Sequence, residues 1–505
     1  MAKAKKPYRH DPEDPSTYRL LTADAFKKAL LGETVPSTLP DGSTEEWSAM
    51  GKDITGVDVV IFDGIRVEEK IHLQEEQVYP YLIEIRHALF QSGLSISGGE
   101  FQQGLGIDGG EFQQEFWISG GEFQQRFWIL GGEFQQEFWI SGGKFQRSFR
   151  ILGGEFQSGF RILGGEFQQE FWIRGGEFQQ RFWILGGEFQ QAFWISGGEF
   201  QQLQIKNYGR FIFYLKLSVE IDFSCYVQHS KIGTLEFSSR IRSDGAVYLK
   251  KLQLNTLLFN DCTNEGLVTV NDLSVLSHSE EKYKTTPSTF EISNSELGKC
   301  HFINTRFEQF EKIIIRDSRL SDIQTSRGHI PLASGGKQVM TDINGEQDAE
   351  IMEETYNQLH GAMKRSDNRT WENRYYAEHI EWHRRRLKKD NIEPYTRFTL
   401  WLHKYSTAYG QNWLQGMGLL LGIAAGFYLL LCFAQWGYIP TYDGFFENMG
   451  YHLGHYFNFI LPIHRTNFLG EEMTDWALTV DFISRVVIGF LLYQIIAAFR
   501  RFGRR

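Results

Sequence analysis

The chain is poor in cysteine and proline, and it opens on no segment that reads as an export leader. Its 4 cysteines, Cys225, Cys262, Cys300 and Cys432, are scattered through 505 residues, with no two at a metal-ligand spacing. That argues against a disulfide scaffold and for a reducing compartment. Lys3, Lys5 and Lys6 open the chain, but no apolar run of signal-peptide length follows them, so the N-terminal part is expected to stay in the cytosol. Positive charge is not in excess either. A formal net charge of −10 speaks against a general nucleic-acid binder. No Walker loop, Rossmann fingerprint, nucleophile elbow or kinase signature is found. No enzyme, cofactor or metal centre is expected.

What the chain does have is glycine and phenylalanine, 51 and 42 residues, against only 11 prolines. That much Phe supplies apolar area to bury, which sets the bias apart from a disordered tail. From Gly98 to Gln202 the sequence repeats every 11 residues as Gly-Gly-Glu-Phe-Gln-Gln-x-Phe-Trp-Ile-x, with Gly pairs beginning at 98, 109, 120 and onward to 197. Phe112, Phe116 and Ile118 share one parity, while Glu and Trp share the other. Period two marks strands, and Gly-Gly marks the turn between them.

Two folds fit: a parallel β-solenoid, or an antiparallel β-meander joined by Gly-Gly hairpins. A solenoid stacks Glu100, Glu111, Glu122 and Glu133 into one like-charge column, which the meander avoids. The irregular strand-rich flanks, and the lack of a second layer to cover ten strands, favour the solenoid. The fold class is therefore mainly β, a solenoid followed by helices. At about 4.8 Å per rung, ten units span roughly 48 Å at one unit per coil, or half that at two. Such an array is a spacer or docking surface that needs neighbours to bury each unit's face. Trp117, Trp128, Trp139, Trp172, Trp183 and Trp194 line the outer parity with Arg150 and Arg161 among them. They are the candidate partner-binding strip, with a covered sheet face as the plainer reading.

The far end is apolar. Trp413–Trp436 carries no charge and is long enough to cross a bilayer, and Trp476–Phe499 is a second span. Lys and Arg crowd before the first span and after the second, while 437–475 holds only Arg465. The positive-inside rule places both termini in the cytoplasm of a bacterial inner membrane. Gly418, Gly422 and Gly426 recur every four residues and read as a helix-packing face, within one chain or, preferably, between copies in a homo-oligomer. Asp481 and Arg485, one turn apart in the second span, read as an ion pair or as pore-lining groups. Phe445, Phe446, Met449, Leu453, Tyr456, Phe457 and Ile460 sit at helical spacing between the spans, as in a two-span channel with a re-entrant loop. The potassium-filter motif is absent, and His452 and His455 read as interfacial residues.

Before the spans, Glu346–Arg365 and Thr370–Asp390 form a helical hairpin about Ser366, Asp367 and Asn368. His379, Glu381 and His383 share a face there, without the spacing of the zinc motif. The domains expected are 1–55, an N-terminal segment with a short helix over Ala23–Leu31; 56–335, the solenoid with its array at 98–202; 345–392, the hairpin; and 394–505, the membrane part.

Asn294–Phe302, the hairpin, Trp401–Trp413, Leu461–Arg465 and Tyr493–Gly503 resemble bacterial pentapeptide-repeat-like membrane proteins. The resemblance implies a right-handed quadrilateral β-helix, although the repeat unit departs from a five-residue period and leaves the residues per coil open. The expectation is a membrane-anchored sensor or scaffold. Its solenoid takes an unidentified protein or ligand, and its oligomeric two-span module, in contact with lipid, acts as a pore of the kind used in phage defence. The alternatives are a passive spacer and a carbohydrate-active enzyme, the latter needing clustered carboxylates.

Overall fold

The computed structural model describes residues 8–503 apart from 54–55, 75, 207–210, 277–286, 335, 337, 343–344, 436–443, 462 and 466–472. The basic start Met1–Pro7, Trp436 and Pro462 therefore lie outside the described residues, as do Arg504 and Arg505. Two units divide the chain: Met1–Pro331 with Lys337–Glu346, and Leu332–Gly336 with Gln347–Arg505.

The first unit is a parallel β-solenoid of about 12 turns. Glu111 lies opposite Glu133, and Phe116 opposite Phe138. That offset equals two repeat lengths, so two repeats close each coil. One coil carries four short strands, for example Glu111–Phe112, Phe116–Ile118, Glu122–Phe123 and Phe127–Ile129. Parallel pairing throughout the array rules out the meander.

Inside each coil the expected parity is what packs. Phe112, Phe116 and Ile118 are buried, as are their equivalents along the array. Phe112 stacks on Phe134, Phe134 on Phe156 and Phe156 on Phe178, at 4.7–4.8 Å with nearly parallel rings. The two glycines of a pair are needed for different reasons. The second, such as Gly132 at φ 106°, takes a backbone conformation open only to glycine. A Cβ on the first would collide with the previous coil, as at Gly153, where it would sit 2.1 Å from the Leu130 carbonyl oxygen.

Regular stacking ends near Phe193. Phe171 and Phe193 meet edge to face instead, beside a register shift between Phe189 and Ala192. Beyond it the coil length drifts: Ile212 lies opposite Ile232, a shorter coil than in the array, and Leu257 lies opposite Phe290, a longer one. Corners there use Asp261, Asp272, Asn294, Asn304 and Asp317 at φ 46–57° where the array uses Gly. Asn and Asp are the residues that tolerate that conformation best after glycine.

The N-terminal segment belongs to the solenoid. Arg19–Leu21 pairs in parallel with Ile65–Val67. Helix α1 (Ala23–Ala29), capped by the Thr22 hydroxyl, closes the end of the coil. Its Phe26 stacks on Phe62 at 4.3 Å and meets Phe90 edge-on at 5.6 Å.

The second unit is helical: α2 (Ala349–Arg365), α3 (Arg369–Lys389), α4 (Pro394–Thr407), α5 (Trp413–Ala434), α6 (Phe445–Ile460) and α7 (Asp475–Gly503). Asp348 and Asn368 cap α2 and α3, and Pro394 starts α4. Leu420, Ala424, Tyr428 and Leu431 of α5 pack with Phe459 of α6 and with Ala477, Ile488 and Leu491 of α7.

Candidate binding faces and the charged clusters of the helical unit

Two repeats per coil divide the tryptophans. One column reads Trp117, Trp139, Arg161, Trp183; the other, half a coil away, reads Trp128, Arg150, Trp172, Trp194. The single expected strip is thus two separate faces. Arg161 lies over Trp139 and Trp183 at 5.3 and 5.1 Å and is paired to Glu137 at 2.6 Å. On the second face Arg174 sits 4.1 Å over Trp172, which meets Trp194 at 4.3 Å. Trp117 donates its indole N–H to the Ser141 hydroxyl at 2.9 Å. The indole N–H groups of Trp139, Trp172, Trp183 and Trp194 have no acceptor among the described residues. Each face is therefore a half-buried row of π surfaces with intercalated guanidinium groups, and its unsatisfied indole N–H groups are themselves covered.

The single like-charge column expected from the sequence is likewise split in two, Glu100 lying opposite Glu122 and Glu111 opposite Glu133. Glu111, Glu133, Glu155 and Glu177 lie in register beside their Gly pairs and line a groove of about 790 Å³. Burial, and then the charges of Glu155 and Glu111, push the Glu133 carboxyl up from its ordinary value. Glutamine relieves part of the cost. Gln113 and Gln135 both donate to Glu111, at 2.9 and 2.6 Å, and Gln124 donates to Glu100 at 2.5 Å. In the second column Lys144 stands between Glu122 and Glu166.

In the helical unit the charges gather at single residues. Glu381 takes Arg384 at 2.7 Å, Arg385 at 3.2 Å, Lys404 at 3.0 Å and the Tyr409 hydroxyl at 2.6 Å. Burial opposes its charge, but hydrogen bonds from Arg384, Tyr409 and Lys404 win and hold its carboxyl at about 2. Glu353 takes His383 at 3.1 Å and Arg386 at 3.0 Å, and its backbone carbonyl is 3.2 Å from His379. His379, Glu381 and His383 therefore each answer to other partners.

Asp481 is 2% exposed. Arg485 pairs with it at 2.8 Å and His464 at 2.7 Å. Reading the sequence by helical spacing found the first partner and missed the second, because His464 belongs to an irregular segment before α7 that no periodicity links to Asp481. Gly418, Gly422 and Gly426 stand elsewhere. A Cβ on any of them would meet nothing within 4 Å, so they do not pack α5 against α7. His452 contacts the Tyr428 hydroxyl at 3.2 Å, and His455 lies against the Tyr451 ring.

Together these features define a β-solenoid protein whose chain continues into helices, two of them, α5 and α7, long and apolar enough to cross a membrane. In comparison with known families, the model of the sperm-activating peptide C-terminal domain matches residues 83–201. This is not a pentapeptide-repeat family, and the match stays within the array and the coil before it, less than half of the chain. No curated protein and no solved structure matches.

Proposed function

We propose that this protein is a membrane-anchored scaffold: α5 and α7 span a bilayer, and the solenoid presents its tryptophan faces to a protein or ligand. The exposed apolar surface of the two helices carries the reading. Only 22% of each apolar window is buried, whereas a soluble core helix of that composition hides most of its length. Leu429, Leu430 and Phe433 on α5, and Phe482 and Val486 on α7, point outward at a cost water would exact and lipid would not. α4 supports it with exposed Tyr395, Phe398, Trp401 and Tyr405 on the same stretch as Arg397 and Lys404, the aromatic and basic mixture of a membrane interface.

The lysine and arginine bias puts both ends in the cytoplasm of a bacterial inner membrane. The open glycine face of α5 suits contact with lipid or with a second copy of the chain. The full-length protein should stay in the membrane fraction through alkaline carbonate washing, and protease outside intact cells should spare the array. Recovery in the soluble fraction without detergent, or trimming of the array from outside, overturns the anchor.

A second reading, a conducting module in a defence effector, draws on one observation: the buried Asp481 of α7, held by Arg485 and by His464, since ionisable groups inside spans often mark ion paths. Purified protein in liposomes should then pass ions, and Asp481→Asn should reduce the flux at least tenfold. Absence of flux leaves the scaffold alone.

A further inference from the structure

The histidine pattern in the sequence led to α3, where the side chains are already engaged. The structure brings a different set together at the N-terminal end of the solenoid. His10, Asp63 and His87 are distant from one another in the chain, yet their ligand atoms all lie within 4.8 Å of one another. His10 Nε2 is 3.2 Å and His87 Nδ1 is 2.8 Å from the same oxygen, Oδ1 of Asp63. We propose that His10, Asp63 and His87 bind one divalent transition-metal ion of the zinc class, through Nε2, Oδ1 and Nδ1, with a fourth position left for water.

The chemistry of the donor set fits. Two imidazoles and one carboxylate are a standard three-ligand set for such ions. In a tetrahedral site with bonds of about 2.0–2.1 Å, neighbouring ligand atoms are roughly 3.3 Å apart. The two separations to Asp63 are close to that edge, and the two imidazoles, whose ligand atoms lie within 4.8 Å, would draw together around the ion.

The geometry is also held from behind. The Gly64 amide donates to the His87 carbonyl at 2.6 Å, and the Arg86 amide to the Phe62 carbonyl at 2.9 Å. These bonds fix the Asp63 and His87 corners one coil above the other. His10 arrives from outside the coils on a short loop closed by its own bonds: the Asp11 amide to the Thr17 hydroxyl at 2.8 Å, and the Tyr18 hydroxyl to the Pro12 carbonyl at 2.8 Å. Its ring meets Tyr18 edge to face at 5.8 Å. It also lies directly on Gly64, where a Cβ would come within 2.2 Å of the imidazole. Gly64 has φ 65°, so glycine there serves both the turn and the seat of His10. His87 and Tyr18 border the groove that holds Glu111 and Glu133, a negative surface that concentrates cations at this end.

A bound ion would pin the loop of residues 8–18 to the first coils and so tie down the segment that leads into α1. End caps govern the stability of stacked-coil proteins, because the terminal coil has a neighbour on one side only. The proposal concerns the solenoid unit alone and stands whether or not α5 and α7 enter a bilayer.

The test uses the full-length protein in detergent, with Zn²⁺ in competition with a chromophoric chelator and Co²⁺ as an absorbing probe. One equivalent should bind and give the intense visible bands of four-coordinate Co²⁺. His10→Gln, Asp63→Asn and His87→Gln should each weaken binding at least tenfold, while the His379→Gln, His383→Gln double variant should bind as before. His10→Gln is the safeguard against misfolding, since His10 lies outside the coil ladder and its loss should leave the β signal in circular dichroism unchanged. Zn²⁺ should also protect the 8–18 loop from limited proteolysis, and EDTA should remove that protection. Failure to bind one equivalent, or binding that follows His379 and His383, overturns the site.

Discussion

The repeat array and the helical unit are held together in opposite ways. In the array the same contact recurs: Phe stacks on Phe and Ile lies on Ile one coil away, and each Gly pair turns the chain in the same way. In the helical unit the contacts are singular. One Glu381 gathers four partners and one Asp481 gathers two. Redundancy lets a structure vary in length, because removing a coil brings together two surfaces that already fit. A singular hub has no substitute.

Breaking one stack is expected to have the largest effect. Phe156→Ala empties a site between Phe134 and Phe178 and should cost about 3–5 kcal/mol in chemical denaturation. A cost below about 1 kcal/mol would mean the column is not what holds the coils. Next comes the hub. Glu381→Gln leaves Arg384, Arg385 and Lys404 without their carboxylate and should destabilise the helical unit by roughly 2–4 kcal/mol.

The same carboxyl gives a pH signature. Its folded value of about 2 lies below the ordinary 4.5. Its contribution is therefore complete above pH 4.5 and drains away as pH falls toward 2. Thermal melts followed by helical circular dichroism should drop over that window in the wild type and stay flatter in Glu381→Gln. A smaller effect, of opposite sign, is expected in the array. Glu155→Lys copies the arrangement of Lys144 between Glu122 and Glu166 and should raise stability by about 0.5 kcal/mol. A loss would show that hydrogen bonds from the Gln amides already offset the repulsion in the column.

The smallest change in stability should follow deletion of two consecutive repeats, such as 131–152, which removes one whole coil in register. Deleting a single repeat should fold as well, but with the N-terminal coils turned by half a coil against the rest. Pairs of spin labels on either side of the deletion would read that turn as a changed distance, and equal distances in the two deletions would contradict two repeats per coil.

Much of this was legible in the residues. Alternating parity identified the buried Phe and Ile positions, and the helical elements from Ala349 to Ile460 began and ended close to their capping and breaking residues. Coil length was not legible, because every unit is equivalent to its neighbours and the pattern reads the same whether one repeat or two closes a turn. That ambiguity is why the tryptophans were expected as one strip. Gly418, Gly422 and Gly426 carried a packing signature, but spacing on one helix does not say which face meets its neighbour. Three of the four cysteines, Cys225, Cys262 and Cys300, proved buried and unpaired; burial pushes the Cys225 thiol up to about 12.

By itself, the sequence determined which side chains go inside, where the chain turns and which helices are apolar, since these follow from local periodicity, from glycine's backbone freedom and from transfer out of water. Tertiary structure alone decided that two repeats close a coil, that His464 joins Asp481, and that His10 reaches Asp63 and His87. Those facts depend on which distant residues share a corner, and the chain records no such distance until its coils are stacked.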